Sequence, residues 1–285
     1  MYYKELLRVR RFFIVFALTV TAIGLLVVLF SGHAKVSVGD SPSPHYALAA
    51  QHVRTGDKQS ESGSTQVYAP GIEISNEPSE PLPFSALLAI AGFVAAIFGT
   101  CVGTSLSCEN HGHLEIAWTR PASRIGYAAR LMAVDVAGII AIFAYTLALC
   151  VAAIYAAGWL HYIVVDGQAG VNVVRFLLYA LAWFALVAGL TASVRSRGGT
   201  YVAGFSWLVM ALLLVLMDLS LPPALHALVK GLNYLNPLLY GSYSSGAEAA
   251  RHVAQIGSVE AMIGLGAIIV LGIVAALTQW RVLEA

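Results

Sequence analysis

Six long apolar runs constrain this chain more than any other feature: Phe12–Phe30, Phe84–Leu106, Val136–Leu160, Phe176–Val194, Gly198–Met217 and Ala261–Trp280. A hydrocarbon core about 30 Å thick is crossed by about 20 helical residues, each rising about 1.5 Å. The runs reach that length and are continuously apolar, whereas barrel strands alternate, so helices are predicted. Composition agrees: 59% hydrophobic and 11% charged residues, with a mean hydropathy of +0.77, leave too little charge to coat a soluble globule. The predicted fold class is an all-α membrane protein with six transmembrane helices, multi-pass in a plasma or bacterial inner membrane, with the lipid bilayer as its surroundings. A cytosolic enzyme is excluded. A net charge of +1 gives no electrostatic footprint for a nucleic-acid partner.

Basic residues set the expected orientation. With the N-terminus inside, the cytoplasmic pieces hold Lys4, Arg8, Arg10, Arg11, Arg120, Arg124, Arg130, Arg195, Arg197 and Arg281, ten of the sixteen Lys and Arg. Both termini are then cytoplasmic. The first run has a basic front, like a secretory signal, but exceeds the usual 7–15 residues of a signal peptide, and cleavage would leave an odd number of spans. It is read as a retained helix.

Residues 1–285 thus form a single transmembrane domain, with an extracytoplasmic loop, 31–82, inserted between spans one and two. That loop, Ser31–Leu82, holds nine serines and five of the ten prolines. It is expected to be a connector, with a short strand around Val67–Ile74 as the ordered alternative. Between spans five and six, Leu225, Leu228, Val229, Leu232 and Leu235 recur at helical spacing after Pro222-Pro223, and Asn236-Pro237 ends the pattern. Too short to cross, this segment is expected to dip into the outer leaflet or lie along it, and a second short helix, Ala247–Ile256, is expected to follow. Gly99 and Gly103, and the ridge Ala144, Ala148, Ala152 and Ala156, are spaced for close helix approach, either within one subunit or between two.

Catalytic patterns are missing. No His-Glu-x-x-His occurs, His111 and His113 are two apart and diverge on a helix, and no metal site is predicted. The four lysines follow Tyr3, Ala34, Asp57 and Val229, so no Gly-Lys-Ser/Thr phosphate loop exists. The centres of the six runs lack Asp, Glu, Lys, Arg and His. Asp135 lies five residues past Arg130, near the expected inner surface, and is read as the partner of a nearby Arg or, alternatively, as a relay. The chain is therefore not expected to be an enzyme, and uphill transport would draw its energy from another polypeptide.

The loop joining spans two and three is the most distinctive stretch. Leu114, Ala117 and Trp118 share one helical face, with Glu115 and His111 on another, and Thr119-Arg120-Pro121 reads as a helix restart. Glu109, the Leu114-Glu115 pair, and Arg120-Pro121 followed by Ser123-Arg124 resemble the cytoplasmic segment of ABC-2 type transporter permeases. The arrangement of six spans is similar as well, and Tyr234-Leu235-Asn236-Pro237 resembles the family's Asn-Pro element before span six. Gly112 and the histidines around it depart from a well-formed coupling helix.

The resemblance implies the transmembrane subunit of an ATP-driven ABC exporter. Two permease copies, identical or different, would pair with a separate ABC ATPase subunit. The chain would hold no cofactor itself, and ATP and Mg would be bound by the partner. Glu109, Leu114, Glu115 and Trp118 would dock that ATPase, and Arg120, Pro121, Ser123 and Arg124 would form the cytoplasmic turn. The alternatives are a plain interfacial helix at this loop, and a non-transporting membrane scaffold or sensor subunit for the whole chain.

Overall fold

The structure, a computed structural model, describes residues 2–31, 82–109, 124–158, 160, 163–165, 167–194, 196–217, 219, 222–241 and 258–282. Six helices are long and apolar enough to cross a membrane. They are α1 (Tyr2–Ser31), α2 (Phe84–Gly103), α4 (Arg124–Ala156), α5 (Ala169–Thr191), α6 (Ser196–Met217) and α9 (Ser258–Val282). Shorter pieces complete the chain: β1 (Leu82–Pro83), α3 (Ser105–Glu109), β2 (Ile163–Val164), α7 (Pro223–Asn233) and α8 (Pro237–Gly241). The multi-pass membrane class is therefore shown. The expected strand at Val67–Ile74 and helix at Ala247–Ile256 lie outside the described residues.

The helices outrun the apolar runs that announced them. Helix α4 is already helical at Arg124, before the apolar run at Val136 and in keeping with the restart read at Thr119-Arg120-Pro121, and α5 begins at Ala169 instead of Phe176. The added turns take charges inside the helices, among them Asp135 and Arg175. Both charges are matched within the fold, which removes the reason for the helix to end there.

Helices α2 and α5 form the centre of the bundle. Ala91, Ala95, Ala96 and Phe98 of α2 and Ala180, Trp183, Phe184 and Ala185 of α5 are buried. Small residues set how near the helices come. A Cβ on Gly99 would stand 3.0 Å from the Ala180 carbonyl oxygen, and one on Gly103 3.0 Å from that of Phe184. The Gly99/Gly103 pair thus serves packing within the subunit. Helix α9 lies against the other side of α5 still more closely: Gly189 faces the Gly272 carbonyl, and a Cβ on Gly272 would overlap the Ala185 carbonyl oxygen. The Gln279 amide reinforces the contact by donating to the Gly189 carbonyl oxygen at 2.7 Å. The ridge Ala144, Ala148, Ala152 and Ala156 is different, exposed along α4.

Helix α1 packs on α4 through a polar bond and rings. Thr21 Oγ1 and the Tyr145 hydroxyl share a hydrogen bond at 2.7 Å, Phe13 meets the Tyr145 ring edge-on, and Phe16 meets Phe98. Helix α6 leans on the centre through Trp207, which stacks on Trp183 with ring centroids 3.8 Å apart. The Trp207 indole N–H donates to Thr100 Oγ1 at 3.0 Å. At one end of the bundle β1 pairs in parallel with β2, Leu82 opposite Ile163, tying the entry of α2 to the segment after α4.

Candidate functional site

Arg8, Arg10, Arg11, Arg130 and Arg281 mark one end of the bundle, and the described end of the α2–α4 hairpin belongs to it. Helix α2 does not run smoothly into that hairpin. It stops at Gly103, Thr104 turns with ψ near 3°, and α3 carries the chain on to Glu109. Thr104 Oγ1 donates to the Cys101 carbonyl oxygen at 2.9 Å, a side-chain bond to the preceding turn of the kind that bends helices.

Past this break the polar contacts converge. Asp135 on α4 is fully buried. It accepts from Arg8 Nη2 at 2.8 Å and from Ser105 Oγ at 2.6 Å. Both distances are those of charge-assisted bonds. The other guanidinium nitrogen, Arg8 Nη1, lies 4.0 Å from Glu109 Oε1. One arginine from α1 therefore stands between an acid on α4 and an acid at the tip of α3. Two residues before Glu109, Ser107 Oγ donates to the Val194 carbonyl oxygen at 2.5 Å, joining the same tip to the α5–α6 turn. Thr191 Oγ1 also donates to the Gly103 carbonyl oxygen at 3.3 Å. The base of the hairpin is thus tied to α1, α4 and the α5–α6 turn by side chains.

Of the residues expected to dock a partner, Glu109 is the one whose side chain is described. It is about three-quarters buried and faces Arg8. Leu114, Glu115, Trp118, Arg120, Pro121 and Ser123 lie outside the described residues, and Arg124 opens α4. The expectation that Asp135 pairs with an Arg is met, with Arg8 as a partner. Asp135 is completely buried within the protein. Sequence reasoning could not single out Arg8 among Arg8, Arg10 and Arg11, because the choice is made by the packing of α1 on α4. Ser105 gave no signal at all.

The opposite end is built around the α7–α8 turn. Pro223 starts α7, and the turn Tyr234–Asn236 ends it before Pro237, which opens α8. Two buried asparagines hold the turn against α6. Asn233 Nδ2 donates to the Leu213 carbonyl oxygen at 2.9 Å, and Asn236 Nδ2 to that of Met210 at 2.8 Å. Asn236 Oδ1 accepts from the Leu238 amide at 3.0 Å, satisfying an N–H in the first turn of α8. Arg175 of α5 donates through Nε and Nη2 to the Tyr240 carbonyl oxygen at 3.0 and 2.8 Å, at the C-terminal end of α8, where a cation is favoured. Burial pushes the Tyr240 phenol up from its ordinary value, and Tyr234 beside it adds to the push. The hydroxyl donates to the Tyr234 carbonyl oxygen at 3.0 Å. Leu225, Leu228, Leu232 and Leu235 remain exposed on the outer face of α7 and the turn after it.

Between the two ends the packing is aromatic and aliphatic, with Trp207 in ring contact with both Phe93 and Trp183. Among the described residues no group of three or more His, Cys, Asp or Glu side chains is placed to hold a metal ion. No protein-family model, curated protein or solved structure matches the chain.

Proposed function

We propose that this chain is the transmembrane subunit of an ATP-driven exporter of the ABC-2 type, working with a separate ATPase. The observation that carries the reading is the tie between the α2–α4 hairpin and the bundle. A loop that receives a push must pass it to the spans. Here the loop's near root, α3, is joined by Asp135, Arg8 and Ser105 to α4 and α1, and by Ser107 to the α5–α6 turn. A displacement of the loop is thereby shared among five of the spans.

Two further features support the same reading. The sequence has no phosphate-binding Gly-Lys-Ser/Thr loop, so the power stroke would come from outside the chain. The helical turn at α7–α8, seated on α6 by two asparagines, fits the half-inserted segment that the resemblance implies before the last span. In this account Leu114 and Trp118 are the apolar anchors in the ATPase groove, Glu109 and Glu115 its charged rim, and Arg120, Pro121, Ser123 and Arg124 the turn back into α4.

Co-purification tests the docking role. Leu114→Ala and Trp118→Ala are expected to abolish recovery of an ATPase with the tagged chain from mild detergent, while the chain still inserts in the membrane. Unchanged recovery in both variants would remove the docking role.

A further inference from the structure

Arg8 stands at the root of the inner hairpin with one of its two terminal nitrogens engaged. Nη2 is held by Asp135 at 2.8 Å, whereas Nη1 is buried and makes no hydrogen bond. A buried N–H without an acceptor is costly, and the acid facing it is Glu109, with Oε1 at 4.0 Å. A charge-assisted N–H···O bond closes at about 2.8 Å, so this second grip is a long ion pair that falls about 1 Å short of a hydrogen bond. The two acids differ in freedom. Asp135 is fully buried within α4 and also held by Ser105. Glu109 ends a five-residue helix beyond the break at Thr104, and its side chain is a quarter exposed. Of the two acids, Glu109 is therefore the one with room to close the gap.

We infer that Arg8 is a two-grip positioning residue: Asp135 fixes the guanidinium to α4, and its free nitrogen sets the position of Glu109, hence the angle at which the inner loop leaves the bundle. The inference deepens the exporter reading and rests on it for the loop's purpose. Its chemistry requires arginine. A guanidinium presents separate nitrogens to two carboxylates in a fixed plane, whereas a lysine ammonium is a single point that Asp135 would keep for itself.

Cys108, exposed and adjacent to Glu109, is a native reporter of the loop root. In a Cys101→Ala, Cys150→Ala background, its labelling rate by a membrane-impermeant maleimide is measured in vesicles opened by freeze–thaw. Arg8→Lys keeps the charge that neutralises Asp135 but removes the second grip. Glu109→Asp keeps the charge beside the thiol but shortens the reach. Each is expected to raise the rate about threefold, the scale of losing one partly exposed ion pair. The double variant is expected to go no faster than either single one, because both remove the same contact. Labelling of Arg8→Lys at the wild-type rate, or a double variant whose effects multiply, would overturn the inference. The assay needs no ATPase, so a failed grip with retained ATPase recovery leaves the exporter reading standing, and lost recovery with an intact grip does the reverse.

Discussion

Two buried polar positions decide most at the scale of single residues. Asp135 is a charge taken wholly out of solvent, tolerable because Arg8 and Ser105 donate to it. Arg8→Ala should therefore cost about 3 kcal/mol, the usual scale for orphaning one member of a buried pair. Arg8→Lys should cost less than about 1 kcal/mol, since it leaves that charge paired. Unfolding midpoints of the two purified variants in detergent measure the contrast, and equal losses would show that length and shape, not charge, are what α4 requires. Asn236 is the second position. Replacing it with Ala strips the Leu238 amide of its acceptor and the Met210 carbonyl oxygen of a donor, a loss of about 2 kcal/mol in the same measurement. The sequence made Asn236-Pro237 legible as a turn, because proline stops a helix. It did not reveal that Asn233 would be buried beside it, since that depends on where α6 passes.

Helices are where the sequence spoke most plainly. The apolar runs located all six spans, and the restart read at Thr119-Arg120-Pro121 had already put Arg124 and Arg130 on the helix of span three, but the run for span four began only after Arg175. Asp135 and Arg175 are both inside helices, one paired with Arg8 and the other donating to the Tyr240 carbonyl oxygen. Those partners come from elements remote in sequence, so no local pattern could report them. Packing between helices depends on small residues in the same way. Gly272→Val drives a side chain into the Ala185 carbonyl of α5 and should cost about 3 kcal/mol, whereas Gly204→Ala meets open space and should change stability by less than about 0.5 kcal/mol. Thermal unfolding distinguishes the two. A tolerated valine at Gly272 would mean that α5 and α9 are not in backbone contact. On the opposite end, α7 presents Leu225, Leu228 and Leu232 outward. A tryptophan at Leu228 should be quenched by lipids brominated near the headgroup, as for a helix lying in the interface. Absence of quenching would place that face in water or under protein.

For the whole molecule, the two ends of the bundle carry different machinery. One end gathers arginines and roots the hairpin through Arg8, Asp135, Ser105 and Ser107, and the other packs a half-length helix and an asparagine turn against α6. If basic residues set the orientation, a tag placed within Ser60–Ser64 is reachable by antibody outside intact cells. Reachability only after permeabilisation would invert the assignment of both ends. The class and span number were legible because the bilayer imposes them on composition. The tie at the hairpin root was not, because it is made by residues whose spacing in the chain runs to 127 positions. The central claim, that this bundle takes its energy through that hairpin from a second polypeptide, is tested most directly by ATP hydrolysis in the complex captured from its native membrane through a C-terminal tag. The account predicts hydrolysis that travels with a distinct ATPase chain and vanishes when this protein is purified alone. A captured complex with no nucleotide-hydrolysing partner would contradict it.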